Sequence, residues 1–164
     1  MWTIEMLSDS PSHLPAVKEL VNEYFLLPDA WAYQDGPPKR LPTFLVDEIA
    51  ALPFPAQLPD GDIAVAIEEG RAFGTALLVP FESSRAELKR LYVTSDMRAH
   101  GVGREIVGAL IGVAKELGYR SVVLDVMPSR TDAIGLYRSV GFNPAPAFKH
   151  YESHEMLFFE LVLQ

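Results

Sequence analysis

Arg98-Ala99-His100-Gly101-Val102-Gly103 is the stretch of this sequence whose residue types and spacing bear most directly on chemistry. It follows the apolar, β-branched run that ends at Val93 and opens into a long amphipathic segment. Gly101 and Gly103 have no Cβ, so a bulky anion can approach their backbone closely. The first N–H groups of a helix lack partners within it, and the helix dipole makes that end electropositive. A strand, a short glycine turn and a helix start therefore form a cradle for a pyrophosphate. Arg98 and Arg104 would add charge-assisted hydrogen bonds. The same two glycines also fit a tightly packed helix start with no ligand.

The spacing sets limits on which anion carrier fits. No third glycine follows Gly103 at the offset of the dinucleotide fingerprint, and no Lys-Ser or Lys-Thr follows as a Walker-type loop requires. What remains is Arg-x-x-Gly-x-Gly after a strand. Downstream stand Ser121-Val-Val-Leu-Asp-Val126 and then Ala133-Ile-Gly-Leu-Tyr137, ending in Gly141-Phe142.

Together these two stretches resemble the paired core motifs of the GNAT superfamily of N-acetyltransferases, in the family's order and separation, from roughly Ala86 to Phe142. The resemblance implies a central, mostly antiparallel twisted sheet of six to seven strands with a splayed parallel pair and helices on both faces. It implies acetyl-CoA as co-substrate, its diphosphate held by main-chain groups from Arg98 through Ala99, His100, Gly101, Val102 and Gly103 to Arg104. The pantetheine arm would lie between Glu87–Val93 and Ser121–Val126, bonded to the main chain of Leu91, Tyr92 and Val93. Many members carry an Asn three residues before the motif alanine. This chain has Arg130 there, so the contact that the Asn makes falls to a different residue type.

The resemblance also assigns catalytic roles. Tyr137 aligns with the family tyrosine that protonates the departing sulfur, work that a phenol can do; it equally fits an aromatic packing its helix on the sheet. Glu87 lies where some members place a glutamate that takes the amine proton, and it equally reads as a strand carboxylate paired with Lys89 or an exposed neighbour. Asp125, in an otherwise apolar strand, is a second candidate base, or else a carboxylate that bonds a helix end or anchors a loop. The chain has no cysteine, which removes a Cys–acyl intermediate and leaves direct attack by the amine in a ternary complex. Thiolate metal sites go with it. The four histidines lack zinc-ligand spacing, so no metal is expected.

These residues need a frame, and 164 residues suffice for one domain with a sizeable core. Trp2 to Met6 reads as a strand and Leu14 to Phe25 as a helix with Val17, Leu20, Val21 and Tyr24 on one face. Seven of the thirteen prolines fall between Leu27 and Pro59, which confines regular structure there to a short helix at Thr43 to Ala51. Ile63–Ile67 and Phe73–Val79 form a hairpin about Glu69-Gly70. Glu87–Val93 follows as a strand whose weak alternation is laid to burial. A helix runs from Gly103 to Leu117, stopped by Gly118. Then come the strand Ser121–Val126, the helix Thr131–Val140 closed by Gly141, and a last strand Met156–Leu163, either core or a dimer edge. This order predicts an α/β (α+β) mixed sheet with helices on both faces.

Charge and composition narrow the partners. The net charge is −8. Residues 1–82 hold four Lys and Arg against thirteen Asp and Glu, and residues 83–164 hold ten against nine. Such an acidic chain is not a general nucleic-acid binder. Its basic half suits an anionic cofactor, and its acidic half would attract a cationic amine or simply keep the protein soluble. No apolar run nears the ~20 residues of a membrane span, and MWTIEMLSDSPSH carries no export signal. A cytoplasmic protein without membrane contact is expected. The acceptor pocket should draw on Trp31, Tyr33, Phe44 and Phe54 and on the tail residues His150, Tyr151, Glu152 and His154, although loop aromatics also serve as plain packing. The expected reaction is acetylation of a small primary amine. Acetylation of a protein amino terminus or lysine, a non-catalytic acyl-CoA sensor and a mononucleotide-binding module are the alternatives, and a homodimer is left open.

Overall fold

Alternating apolar residues and tight turns build the first half of a sheet: β1 (Thr3–Met6), β2 (Asp62–Glu68), β3 (Arg71–Phe81) and β4 (Arg85–Val93) pair antiparallel in succession. The computed structural model describes residues 1–29, 39–82, 84–152 and 154–164. Glu69 and Gly70 turn the β2–β3 hairpin, both at positive φ (49° and 80°), the backbone that a two-residue turn between twisted strands requires. β5 (Ser121–Val126), the two-residue β6 (Asn143–Pro144) and β7 (Leu157–Val162) complete a seven-stranded sheet in the order β1-β2-β3-β4-β5-β7-β6. β4 and β5 are its parallel pair, as expected. β7 lies between β5 and β6 with Phe159 buried, so the apolar end segment is an inner strand.

Helices cover both faces. α1 (Leu14–Phe25) and α2 (Thr43–Ala51) bury Val17, Val21, Phe25 and Leu45 against Ile63, Val65 and Leu77. On the other face α3 (Val102–Glu116) and α4 (Thr131–Val140) set Ile106, Leu110 and Tyr137 against Phe73, Leu78, Leu88 and Leu124. Each such fully buried side chain contributes about 1.5–3 kcal/mol. Gly141, at φ 114°, closes α4 as its C-cap. Among the described residues no helix is long and apolar enough to cross a membrane.

Two features of β4 shape the site. Thr75 pairs with Tyr92 and Leu77 with Lys89, so Arg90 and Leu91 together oppose the single residue Ala76. This is a β-bulge, with Arg90 at φ 58°. It corrects the reading of the weak alternation, which comes from an extra residue in the ladder rather than from burial alone. The second feature is that β4 and β5 pair over only Arg85–Glu87 and Ser121–Val123, and beyond those rungs the strands part.

Candidate active site

The N-terminus of α3 borders a groove of ≈ 550 Å³. Leu91, Tyr92 and Val93 form one wall, Arg98, Ala99, Gly101, Val102, Gly103 and Arg104 the second, and Arg130 to Ala133 at the start of α4 the third. Gly101 is the N-cap residue at φ 87°, and a Cβ there would meet nothing within 4 Å. Its backbone demands glycine while its surroundings are open. Gly103 differs, because a Cβ there would lie 2.9 Å from Leu136 Cδ1. Close packing of α3 on α4 therefore accounts for the second glycine.

The basic residues around this groove are unequally available. Arg98 Nε donates to Val93 O at 2.9 Å, and its guanidinium lies 5.7 Å from the Tyr92 ring centre, which joins the glycine turn to the end of β4. Arg104 Nη1 donates to Ser139 Oγ at 3.1 Å on α4. His100 does not line the groove; its Nδ1 lies 2.7 Å from Arg98 O. Arg130, the N-cap residue of α4, stacks 5.2 Å from the Tyr24 ring centre and borders both this groove and a second cavity.

That second cavity, ≈ 110 Å³, occupies the gap where β4 and β5 diverge. Lys89, Arg90 and Leu91 face it from β4, Asp125 and Val126 from β5, and Tyr137 from α4. Lys149, Tyr151 and His154 of the tail loop and Tyr24 of α1 close it. Tyr137 is 5 % exposed, and burial pushes its phenol well above the ordinary tyrosine value, so it stays protonated at neutral pH. Its ring meets Phe142 edge-on at 5.9 Å. Tyr137 thus packs its helix on the sheet and also lines the cavity.

An ion network stands behind this wall. Glu87, 4 % exposed, accepts a hydrogen bond from Lys149 Nζ, not from Lys89. Lys149 also lies 4.0 Å from Asp125 Oδ2, the oxygen that accepts the Tyr151 hydroxyl. Burial, and then that bond, push the Tyr151 phenol up. Arg90 holds Glu48 of α2 through Nη2 at 2.8 Å and Nε at 3.1 Å and lies 4.7 Å from the Phe25 ring centre. These bonds fix the bulge. Asp125 lines the cavity, whereas Glu87 lies behind Lys149.

The structure puts the glycine turn at the groove and Tyr137 and Asp125 at the adjoining cavity, together with Lys149 and Arg90 and, behind them, Glu48, which sequence reasoning did not single out. Sixty-two positions separate Lys149 from Glu87, and no local pattern links them. Of the expected pocket aromatics, Tyr151 and His154 line the cavity with ring centres 4.7 Å apart. Phe44 and Phe54 are exposed and line neither opening, nor do His150 and Glu152. Trp31 and Tyr33 lie outside the described residues. From residues 1–82, the described lining comprises Tyr24, Leu27 and Asp29, so the acidic half supplies little of the wall.

Known proteins match this architecture. The chain is 36% identical over 94 residues to an uncharacterized N-acetyltransferase of Schizosaccharomyces pombe, a match covering 56% of this chain and 58% of the yeast protein. It is 35% identical over 66 residues to the ribosomal protein bS18-alanine N-acetyltransferase of Escherichia coli strain K12, covering 40% of this chain and 45% of that protein. These matches thus span less than two thirds of the curated relatives' length. Among solved structures, a phosphinothricin acetyltransferase from Sinorhizobium meliloti in complex with acetyl-CoA shares the fold at TM-score 0.72 and 22% identity, over 99% of this chain and 88% of that one. The model of the acetyltransferase (GNAT) family matches residues 15–142, from the first helix to the phenylalanine that follows Gly141, and on that match the chain belongs to this family.

Proposed function

We propose that residues 1–164 act as one acetyltransferase domain that moves an acetyl group from acetyl-CoA to the primary amine of a small acceptor by direct attack. The observation that carries this reading is the meeting of two openings at Leu91 and Arg130, one bordered by a helix N-terminus and the other by Tyr137 and Asp125. Main-chain groups of Ala99, Gly101, Val102 and Gly103, aided by Arg98 and Arg130, hold the diphosphate. Arg104 and His100 border or back that turn rather than lead the binding. The unpaired edge of Leu91, Tyr92 and Val93 takes the pantetheine amides, and one of its N–H groups polarises the thioester carbonyl.

The acceptor's nitrogen then bonds to the carbonyl carbon, the C–S bond breaks, and Tyr137 passes its proton to the departing sulfur. Asp125 takes the proton lost by the amine. Glu87 positions Lys149 behind it. Release of thiol from acetyl-CoA across a panel of amines, with thermal stabilisation by acetyl-CoA, tests the reading; ligand at 100 times its Kd stabilises by about 2.7 kcal/mol. Stabilisation without thiol release would mark a sensor, and no response to coenzyme A would overturn the proposal. Asp125→Asn should lower kcat by about 100-fold or more, the contribution of a positioned general base, whereas Glu87→Gln, acting only through Lys149, should lower it much less.

A further inference from the structure

The bulge in β4 puts two consecutive cations on one face of the sheet. A normal strand sends Lys89 and Arg90 to opposite sides. Here both approach the same carboxylate, Glu48 of α2, with Arg90 Nη2 at 2.8 Å and Lys89 Nζ at 4.0 Å from Glu48 Oε1. Arg90 engages both oxygens of Glu48. Lys89 is left beyond hydrogen-bond distance of its own counter-ion, with its side chain 25% exposed and facing the smaller cavity.

The other charges there are largely answered. Lys149 is taken by Glu87, and Asp125 by Tyr151 and the more distant Lys149. Arg130 has no carboxylate within 4.0 Å among the described residues, but it belongs to the groove as much as to the cavity. Four cations line the cavity, answered by Glu48, Glu87 and Asp125. A half-buried ammonium whose counter-ion is shared and lies beyond hydrogen-bond distance is costly. Burial, and then Arg90, accordingly push Lys89 below the ordinary lysine value.

The geometry points to an acceptor that carries a carboxylate beside its amine, as a free α-amino acid does, with Lys89 receiving the carboxylate and Asp125 across the gap on β5 facing the ammonium. This rests on the acetyl-transfer reading and narrows it. A carboxylate at Lys89 supplies the missing partner through a charge-assisted hydrogen bond. Tyr24, Tyr137 and Tyr151 leave the remaining wall aromatic, which suits an apolar side chain. A peptide amino terminus, with an amide in place of the carboxylate, leaves Lys89 unanswered.

The test compares each of the twenty L-amino acids with its α-amide and its decarboxylated amine by thiol release from acetyl-CoA. The best amino acid should exceed both analogues by about tenfold or more in kcat/KM, the discrimination that roughly 1.4 kcal/mol gives. Lys89→Met should raise its KM and collapse that ratio toward one, and Lys89→Arg should retain most of it. Amides or simple amines accepted as well as amino acids, or equal losses for both classes in Lys89→Met, would overturn the inference. If no amine is acetylated, the transfer reading falls, and binding decides the charge question. Lys89-dependent preference for N-acetyl-L-leucine over N-isoamylacetamide in the presence of coenzyme A, read by ligand-observed NMR, supports it. Equal binding of the two, or none, overturns it.

Discussion

Replacing Tyr137 by Phe removes one oxygen from the wall of the cavity and leaves the ring in place. The edge-on contact with Phe142 at 5.9 Å and the burial of the ring are retained. Loss of the hydroxyl should therefore change stability by no more than about 1 kcal/mol, or roughly 2–4 °C in Tm for a chain of this size. The catalytic loss should be much larger. A positioned general acid contributes about 10²–10⁴ in rate, equivalent to roughly 2.7–5.4 kcal/mol of barrier at 1.36 kcal/mol per decade. We expect kcat for thiol release to fall by about 100-fold or more, with KM for acetyl-CoA within about twofold, because the phenol is not asked to bind the cofactor. Burial keeps this phenol protonated beyond the ordinary tyrosine range, so the wild-type profile should show no decline due to its ionisation below about pH 10. A kcat within about threefold of wild type, or a loss matched by an equal fall in acetyl-CoA affinity, would refute the reasoning.

Gly101→Val puts a β-branched residue at φ 87°; unfolding should cost about 1–2 kcal/mol less, while acetyl-CoA affinity, measured by calorimetry, drops about tenfold or more. Glu48→Gln leaves Arg90 and Lys89 without their shared carboxylate. Denaturant titration should show a loss of about 2 kcal/mol, below the full cost of breaking a buried pair because Glu48 is partly exposed. Tyr137 and Tyr151 both have folded-state values raised above the ordinary one. Their contribution is complete below the unfolded value near pH 10 and is lost as pH climbs past it, so stability should fall between pH 9 and about pH 11 and fall less steeply in Tyr137→Phe.

Periodicity and caps made most elements legible. The Val17, Leu20, Val21 and Tyr24 stripe, the prolines around Thr43–Ala51 and the glycines at 118 and 141 are local signals, and they located the helices to within a residue or so. The glycine turn was legible for the same reason, although Gly103 turned out to serve the contact with Leu136. What escaped notice depends on distant partners. The Lys89-Arg90 pair looks like ordinary strand polarity until Glu48 is brought beside it from 42 positions away. Lys149 and Tyr151 sit in a proline-bounded tail without period, yet they meet Glu87 and Asp125. The same distance hid from the sequence the hydrogen bond by which Lys149 holds Glu87.

A sheet that unzips after three rungs has an interior edge. Past Glu87 and Val123, peptide groups of two neighbouring strands face a gap instead of each other, and such groups demand partners. On the proposed reading, an arm lying in that crack must itself offer amide donors and acceptors and sit about 4.8 Å from each strand, the distance between paired strands. Hydrocarbon chains fail this requirement and peptide-like arms meet it, so on the proposed reading the fault line in the protein's own hydrogen bonding would favour an amide-bearing visitor before any side chain is consulted.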